Sequence, residues 1–463
     1  MHRTTVRRIR SLVCASLALA MAACGRDTPT APASSTSTSR LAATMTPIPG
    51  RYIVVMKPGQ ASAISRATSV YNDQVERSYP GAGIAVMRNL SAEQATALSS
   101  AAGVEQVVQD QSLAWIPSVQ SMFSGVQQTT ATGVTTQGTD QSGAAFFGPY
   151  QWNMKQVQSP AAWAATPGGL GKMVCVLDTG VDPGQLDMVG KVDLSVSASA
   201  VAAEPFIEDL NLHGTFVSGL ISSRGIGMAS VAPDARLCAV KVLGVSGSGS
   251  FGDIINGIAF AATNGSDVIN MSLGAYVDRN APGVEGLILA LQQAVNFAND
   301  HGVLVVVSSG NSAINLDEDA KNLLEIPAQL KNLISVGATA PINQQNFDLL
   351  ASYSNYGGKT GIALVAPGGD LVAGGVTQDL VISACSRFNV SFNCTAGNNY
   401  LFGAGTSFAS PMVAGAAAVV KSQLGTATTI KLRNCIVGGT DVVGPVRIFG
   451  AGRLNVAKAA ACP

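Results

Sequence analysis

Gly405-Thr406-Ser407-Phe408-Ala409-Ser410-Pro411-Met412-Val413-Ala414-Gly415 reads as a tight turn running straight into a small-residue helix. A serine in the first turn of a helix sits beside free backbone N–H groups and the positive end of the helix dipole. That setting suits an attacking oxygen and the oxyanion it creates. Gly-Thr-Ser alone also describes an ordinary helix cap. Two upstream segments narrow the choice. Val174-Cys175-Val176-Leu177-Asp178 is an apolar run ending in an acid, followed by Thr179-Gly180-Val181-Asp182. Leu212-His213-Gly214-Thr215-Phe216-Val217-Ser218-Gly219 puts a histidine at a helix start. A serine hydroxyl is a weak nucleophile at neutral pH and needs a base beside it, and the base needs a group that holds its tautomer.

With Ser308-Ser309-Gly310-Asn311, these segments resemble the subtilase family of serine peptidases. The matching residues are DTGVD at 178–182, HGTFVSG at 213–219, SSGN at 308–311 and GTSFASPMVAG at 405–415, in the family's order. The resemblance implies hydrolysis of polypeptide substrates, with Ser407 as nucleophile, His213 as general base and then acid, and Asp178 orienting the imidazole. Asn311 and the Ser407 backbone N–H would form the oxyanion hole, supported by the Thr406 hydroxyl. Gly247-Ser248-Gly249 and Ser272-Leu273-Gly274 would pair with an extended substrate as added strands, glycine allowing close approach of a foreign backbone.

The cleft for the side chain preceding the scissile bond, S1, would lie between Ser272–Ala275 and Ser308, Ser309 and Gly310. Those walls are neutral, so cleavage after large neutral residues is expected. Leu243, Phe251, Ile254 and Leu273 would make an apolar S4 side. The chemistry requires no cofactor. Asp187 matches by spacing a calcium ligand of the family, which makes a structural calcium the one metal to look for; the loop Ser222–Gly227 is shorter than the family's calcium loop. Phe216 stands where the family's HGTH motif has a second, non-catalytic histidine.

Other readings fare worse. Asp178-Thr179-Gly180 also fits an aspartic protease, but that fold needs two such segments on an all-β scaffold, or a homodimer. No G-x-S-x-G elbow occurs, which counts against a lipase or esterase. A surface lipoprotein that only binds peptides would be expected to have lost a member of the triad.

The 463 residues are 47% hydrophobic and 12% charged with a formal net charge of zero, so the chain can bury a large core and has room for about two or three domains. No basic cluster follows the extreme N-terminus, which argues against nucleic acid as a partner. Of the three histidines, His2 falls in a targeting segment. His301 precedes Gly302 at an expected helix C-terminus, where a cap and the helix dipole account for it.

Arg3, Arg7, Arg8 and Arg10 precede the apolar stretch 11–23, too short to span a bilayer, and mark 1–23 as a signal peptide. Met21-Ala22-Ala23-Cys24-Gly25 resembles a bacterial lipoprotein box with lipid on Cys24. The expectation is export from a bacterial cell and a lipid anchor on the periplasmic or outer surface, with free secretion as the alternative. Residues 24–49, rich in Ser, Thr and Pro, read as a flexible tether.

Residues 50–116 read as β-α-β-β-α-β. Placed before a subtilase domain, this module resembles the family's inhibitory, chaperone-like propeptide, so the chain's own propeptide is an expected partner. Residues 117–148, rich in Gln, Thr, Ser and Gly, read as an exposed linker in which, or at whose start, the precursor would be cut. Residues 149–463 alternate short apolar runs (173–177, 237–243, 268–273, 303–307 and 333–336) with amphipathic stretches at 251–264 and 285–300. That pattern predicts a parallel α/β sheet with helices on both faces. The resemblance makes it the family's three-layer fold. Cys385 with Cys394, and Cys435 with Cys462, are candidate disulfides. Cys175 and Cys238 lie in apolar strands and read as buried free thiols.

Overall fold

The computed structural model describes residues 42–133, 138–318 and 322–463. The signal peptide, the lipoprotein box with Cys24 and the tether up to residue 41 lie outside the described residues.

The N-terminal module has strands β1 (Thr46–Met56), β2 (Val75–Tyr79) and β3 (Ile84–Met87), helix α1 (Ala92–Ser99) and strand β4 (Val104–Ala114). They form an antiparallel sheet in the order β2-β3-β1-β4. Helix α1 opens on a capping box: Ser91 Oγ accepts from the Gln94 N–H at 3.2 Å, and Gln94 Oε1 accepts from the Ser91 N–H at 2.8 Å. Two expectations need correction. β1 begins inside the supposed tether, because Thr46 and Pro47 pair with Ser112 and Gln111 of β4. The first helix of the expected β-α-β-β-α-β order is instead a series of short turns over 61–74, broken where Tyr71 leaves helical geometry at φ −119°.

The supposed linker is also ordered in part. After a helical turn at Val119–Met122, strand β5 (Phe123–Gln128) runs antiparallel to a strand of the large domain. Val119, Met122, Phe123, Phe146 and Phe147 are buried. The polar composition of 117–148 hid these few apolar residues, whose burial is enough to fix the backbone around them.

The large domain runs through β6 (Met173–Asp178), α2 (His213–Ile221), β7 (Arg236–Lys241), β8 (Ser248–Ser250), α3 (Phe251–Thr263) and β9 (Val268–Met271). It continues with β10 (Ala275–Asp278), α4 (Val284–Asp300), β11 (Leu304–Ser308), β12 (Leu323–Ile326), β13 (Ile334–Ile342) and β14 (Leu364–Pro367). β15 (Val381–Ala384), β16 (Asn399–Gly403) and α5 (Thr406–Leu424) follow. The sheet is parallel at its centre, in the order β14-β13-β11-β9-β6-β7. Alternate residues of β6 face opposite cores. Val174 and Val176 pack in the cluster that holds α2 and α5, Cys175 and Leu177 in the one that holds α3 and α4. Burial on both faces explains the unbroken apolar runs, and the expected three-layer fold results.

His301 follows α4 as expected, its Nδ1 2.8 Å from the Phe297 carbonyl, with Gly302 at φ +75°. Cys385–Cys394 and Cys435–Cys462 are disulfides. The free-thiol reading of Cys175 and Cys238 is wrong: they are register partners on β6 and β7 and form a third disulfide. In-register neighbours on parallel strands, 4.5 Å apart at Cα, lie within bonding reach, although 63 residues separate them in sequence.

The N-terminal module rests on α3 and α4. Arg51 is its clasp, pairing with Glu76 (2.7 Å), Asp110 (3.1 Å) and, across the interface, Asp253 at the start of α3 (2.8 Å). Burial pushes the Asp110 carboxyl up to about 6 despite the guanidinium beside it.

Candidate active site

Asp178 is the last residue of β6 and His213 the first of α2, so the carboxyl end of a buried strand meets the N-terminus of a buried helix. His213 Nδ1 lies 2.8 and 3.0 Å from the two Asp178 oxygens, and both side chains are fully buried. The Thr179 N–H also donates to Asp178, at 2.7 Å. Gly214 allows this approach: a Cβ there would stand 2.1 Å from the Gly180 carbonyl oxygen.

Beneath the pair sits Asp209, which the sequence did not bring forward. Its carboxylate accepts from the N–H groups of Leu212 and Thr215 and from the hydroxyls of Thr179 and Thr215, at 2.7–2.8 Å. It caps α2 four residues ahead of His213, and burial raises its pKa. The signal was an acid shortly before a histidine-led helix, with no motif to mark it.

His213 Nε2, the nitrogen remote from Asp178, is buried and has no hydrogen-bond partner among the described residues. The imidazole stands 5.8 Å from the ring of Phe408, the neighbour of Ser407. Ser407 is the second residue of α5, and its hydroxyl donates to the Ser272 carbonyl at 3.3 Å. The fold thus brings Asp178 and His213 into contact and sets Ser407 near by, with the serine–histidine bond unmade.

Asn311 lies just beyond β11 and lines a cavity with Ser407. Thr406 donates to its Oδ1 from both its backbone N–H (2.9 Å) and its hydroxyl (2.8 Å). The Thr406 hydroxyl is therefore spent on turning the Asn311 amide, and the amide N–H₂ is left for the cleft. This replaces the expectation that Thr406 contacts the oxyanion itself.

The two glycine-rich edges are occupied by the chain's own residues. β4 pairs antiparallel with β8 (Ser112↔Ser250, Leu113↔Gly249, Ala114↔Ser248). The Trp115 N–H then donates to the Gly247 carbonyl at 3.0 Å, and the Gly274 N–H to the Trp115 carbonyl at 2.9 Å. Trp115 is buried in the cluster that holds Leu243, Phe251, Ile254 and Leu273, its ring edge-on to Phe251 at 5.1 Å. Past Pro117, the Met122 carbonyl accepts from the Ala404 N–H at 3.0 Å. Phe123 packs against His213, Phe216 and Phe408 at centroid distances of 6.4, 5.0 and 5.4 Å.

Two residues expected in the cleft wall are placed otherwise. Ser272 turns its hydroxyl inward, to the Ser407 carbonyl (2.7 Å) and Ser410 Oγ (2.9 Å), and buttresses the start of α5. Ser309 is buried, bonded to the carbonyls of Val336 and Asn355, and does not line the cavity.

A model described as the subtilase family matches residues 169–452. The chain belongs to the subtilase family. Subtilisin Savinase of Lederbergia lenta is 36% identical over 312 residues, spanning 66% of this chain and 97% of its own. The alkaline protease of Alkalihalobacillus alcalophilus is 36% identical over 312 residues, spanning 66% and 69%. Among solved structures, the epidermin leader peptide processing serine protease of Staphylococcus aureus superposes with a TM-score of 0.69 at 22% identity, covering 89% of this chain and 97% of its own. Fervidolysin of Fervidobacterium pennivorans gives 0.65 at 20%, covering 91% and 62%. Those two show a shared fold. With the sequence relatives, the family makes this chain a subtilisin-like serine endopeptidase.

This subtilase departs from expectation at two acids. Asp187 is not fit to hold calcium. Its oxygens accept from the N–H groups of Ile226, Gly227 and Met228 (2.8, 2.9 and 3.0 Å) and from the Tyr400 hydroxyl (2.6 Å). These donors direct positive hydrogens at the oxygens a cation would need. Among the described residues, no group of three or more His, Cys, Asp or Glu converges on a point.

The second acid overturns the neutral cleft. A cavity of ≈ 280 Å³ lined by Leu273, Gly274, Ser308, Gly310, Asn311 and Ser407 also contains Glu325 of β12. β12 pairs with β10, setting Glu325 opposite Tyr276 and between the two glycine walls.

Proposed function

We propose that this subtilase hydrolyses peptide bonds through Asp178, His213 and Ser407, with a covalent acyl-enzyme intermediate, and that it cuts away its own N-terminal module. The observation that carries the first part is the buried Asp178–His213 pair, bonded through Nδ1 at 2.8 and 3.0 Å with Nε2 left free. A neutral imidazole held by a carboxylate at Nδ1–H has its lone pair on Nε2, ready to take a proton.

Rotation of Ser407 from the Ser272 carbonyl toward Nε2 would let its Oγ attack the substrate carbonyl as His213 takes the hydroxyl proton. The oxyanion would be met by the Asn311 amide and the Ser407 N–H at the positive end of α5. The imidazolium returns its proton to the leaving amine, which leaves an ester on Ser407. A water molecule, deprotonated by His213, then attacks the ester and restores the serine.

Asn311→Leu is expected to lower kcat about 10²–10³-fold, a magnitude measured for one such donor in subtilisin, with KM little changed. Thr406 holds the Asn311 amide before any substrate arrives, so the donor acts where charge develops. A rise in KM with kcat intact would reassign Asn311 to ground-state binding.

Self-maturation is supported by the strand pairing of residues 112–114 with β8 and by the burial of Trp115 in the apolar S4 side. Such a segment competes directly with substrate, so residues 50–116 act as an inhibitory propeptide until released. Pro117 lines the Ser407 cavity and, with Ser121, the adjoining one that shares Asn311. The cut is assigned to 117–121, the stretch nearest the nucleophile.

Export is supported by the three disulfides, which belong to oxidising compartments. With lipid on Cys24, the released module would stay membrane-bound while the peptidase domain departs. A diacylglycerol mass on the N-terminal fragment is the expected reading, and an unmodified Cys24 on that fragment would remove the anchor.

A further inference from the structure

The cavity beside Ser407 is also lined by an ionisable group that the hydrolytic mechanism does not use. Glu325 is 2% exposed. Its Oε1 occupies space that the missing side chains of two glycines leave open: a Cβ on Gly274 would lie 2.5 Å from it, and one on Gly310 2.8 Å. Its Oε2 is buried without a hydrogen-bond partner, and no Lys or Arg among the described residues pairs with it. The rest of the lining is neutral: Ala43, Ala114, Ile116, Pro117, Leu273, Ser308 and Ser312 among others.

A carboxyl buried without a partner is costly in its ionised form. Burial accordingly lifts Glu325 well above the usual carboxylate range. An acid kept in that position, in a pocket that Ser407 and Asn311 also line, lacks one thing, a cation. Residues 114–117 of the chain itself line this cavity of ≈ 280 Å³. That segment brings no cation, since no Lys or Arg occurs between Arg88 and Lys155.

We infer that Glu325 is a specificity-determining residue that makes this subtilase cleave after lysine or arginine. The inference rests on the peptidase reading of Ser407 and names the substrate class of that site. A basic side chain entering between the Gly274 and Gly310 walls would reach the carboxylate, form a charge-assisted hydrogen bond and leave neither charge unpaired. A neutral side chain of the same length would leave the acid as it stands.

The chain's own segment is in these terms a well-seated occupant that lacks the preferred side chain. It suits an inhibitor. Its single cut relies on tethering, which raises the effective concentration of an intramolecular substrate by orders of magnitude.

The test compares peptide substrates identical except for lysine, norleucine, glutamine or phenylalanine before the scissile bond, using the full chain after self-processing and its Glu325→Gln variant. The wild type should favour lysine over norleucine by about 10²-fold in kcat/KM, in line with losses on breaking buried charge pairs. In E325Q that ratio should fall to near one because the lysine rate drops, and an unshifted thermal melt reports that the variant is folded. If E325Q loses activity on every substrate, the wild-type ratio alone decides. Phenylalanine, glutamine or norleucine preferred over lysine by the wild type would overturn the assignment and leave the peptidase reading intact. Hydrolysis of none of the four by the wild type would overturn the peptidase reading, and this inference with it.

Discussion

Ser407→Ala is expected to reduce kcat for any peptide substrate by about 10⁶-fold, the loss measured for the nucleophile in subtilisin, and to leave the precursor whole. The size follows from the geometry. His213 and Asp178 remain bonded without the serine, and the Thr406 hydroxyl at the start of α5 is already held on Asn311 Oδ1 at 2.8 Å. Ser410 Oγ, the next along the helix, is held by Ser272 at 2.9 Å. The residual rate would come from binding and the oxyanion site alone. Because the chain's own residues 112–117 lie along the cleft edges, the same substitution should block maturation. A purified Ser407→Ala protein that is cut within 117–121 without added protease would show that another enzyme processes it.

Asp178→Asn should cost about 10⁴-fold in kcat with little change in KM. In the proposed mechanism the carboxylate does two things at Nδ1: it fixes the tautomer that leaves Nε2 as acceptor, and it stabilises the imidazolium formed during attack. Asparagine keeps the shape of the side chain. It can nevertheless turn its amide N–H₂ toward Nδ1, which places the ring proton on Nε2 and removes the base. The strand edges proposed to bind substrate, at β8 and Gly274, are untouched, hence the stable KM. A loss below tenfold would mean that Asp209 or another group holds the imidazole.

Asp178, His213, Asn311 and Ser407 were legible in the sequence because each sits where a strand or helix begins or ends, and those boundaries have local signals: Gly180 after Asp178, Gly310 before Asn311, the Gly405 turn before Ser407. The parallel sheet was legible for a similar reason, since strands buried on both faces read as unbroken apolar runs. What escaped depends on pairing between distant segments. Cys175 and Cys238 become partners only through the β6–β7 register. Glu325 reaches the cleft through the antiparallel pairing of β12 with β10; its sole local mark is an acid inside the apolar run Leu323-Leu324-Glu325-Ile326. Phe123 was masked by the polar residues around it, although it packs on Phe216, the departure from HGTH that the sequence did show. Asp187 misled because spacing identifies a carboxylate and not what surrounds it; the N–H groups of 226–228 decide its role.

The central claim is that Ser407 is a nucleophile activated by His213 and Asp178. Reaction of the self-processed protein with a fluorophosphonate, followed by peptide mapping, tests it most directly, because phosphonylation requires the same activated oxygen and no knowledge of the natural substrate. One adduct per chain, on Ser407, absent from Ser407→Ala and much slower in Asp178→Asn, is the predicted result. No adduct, or an adduct on a different serine, would contradict it.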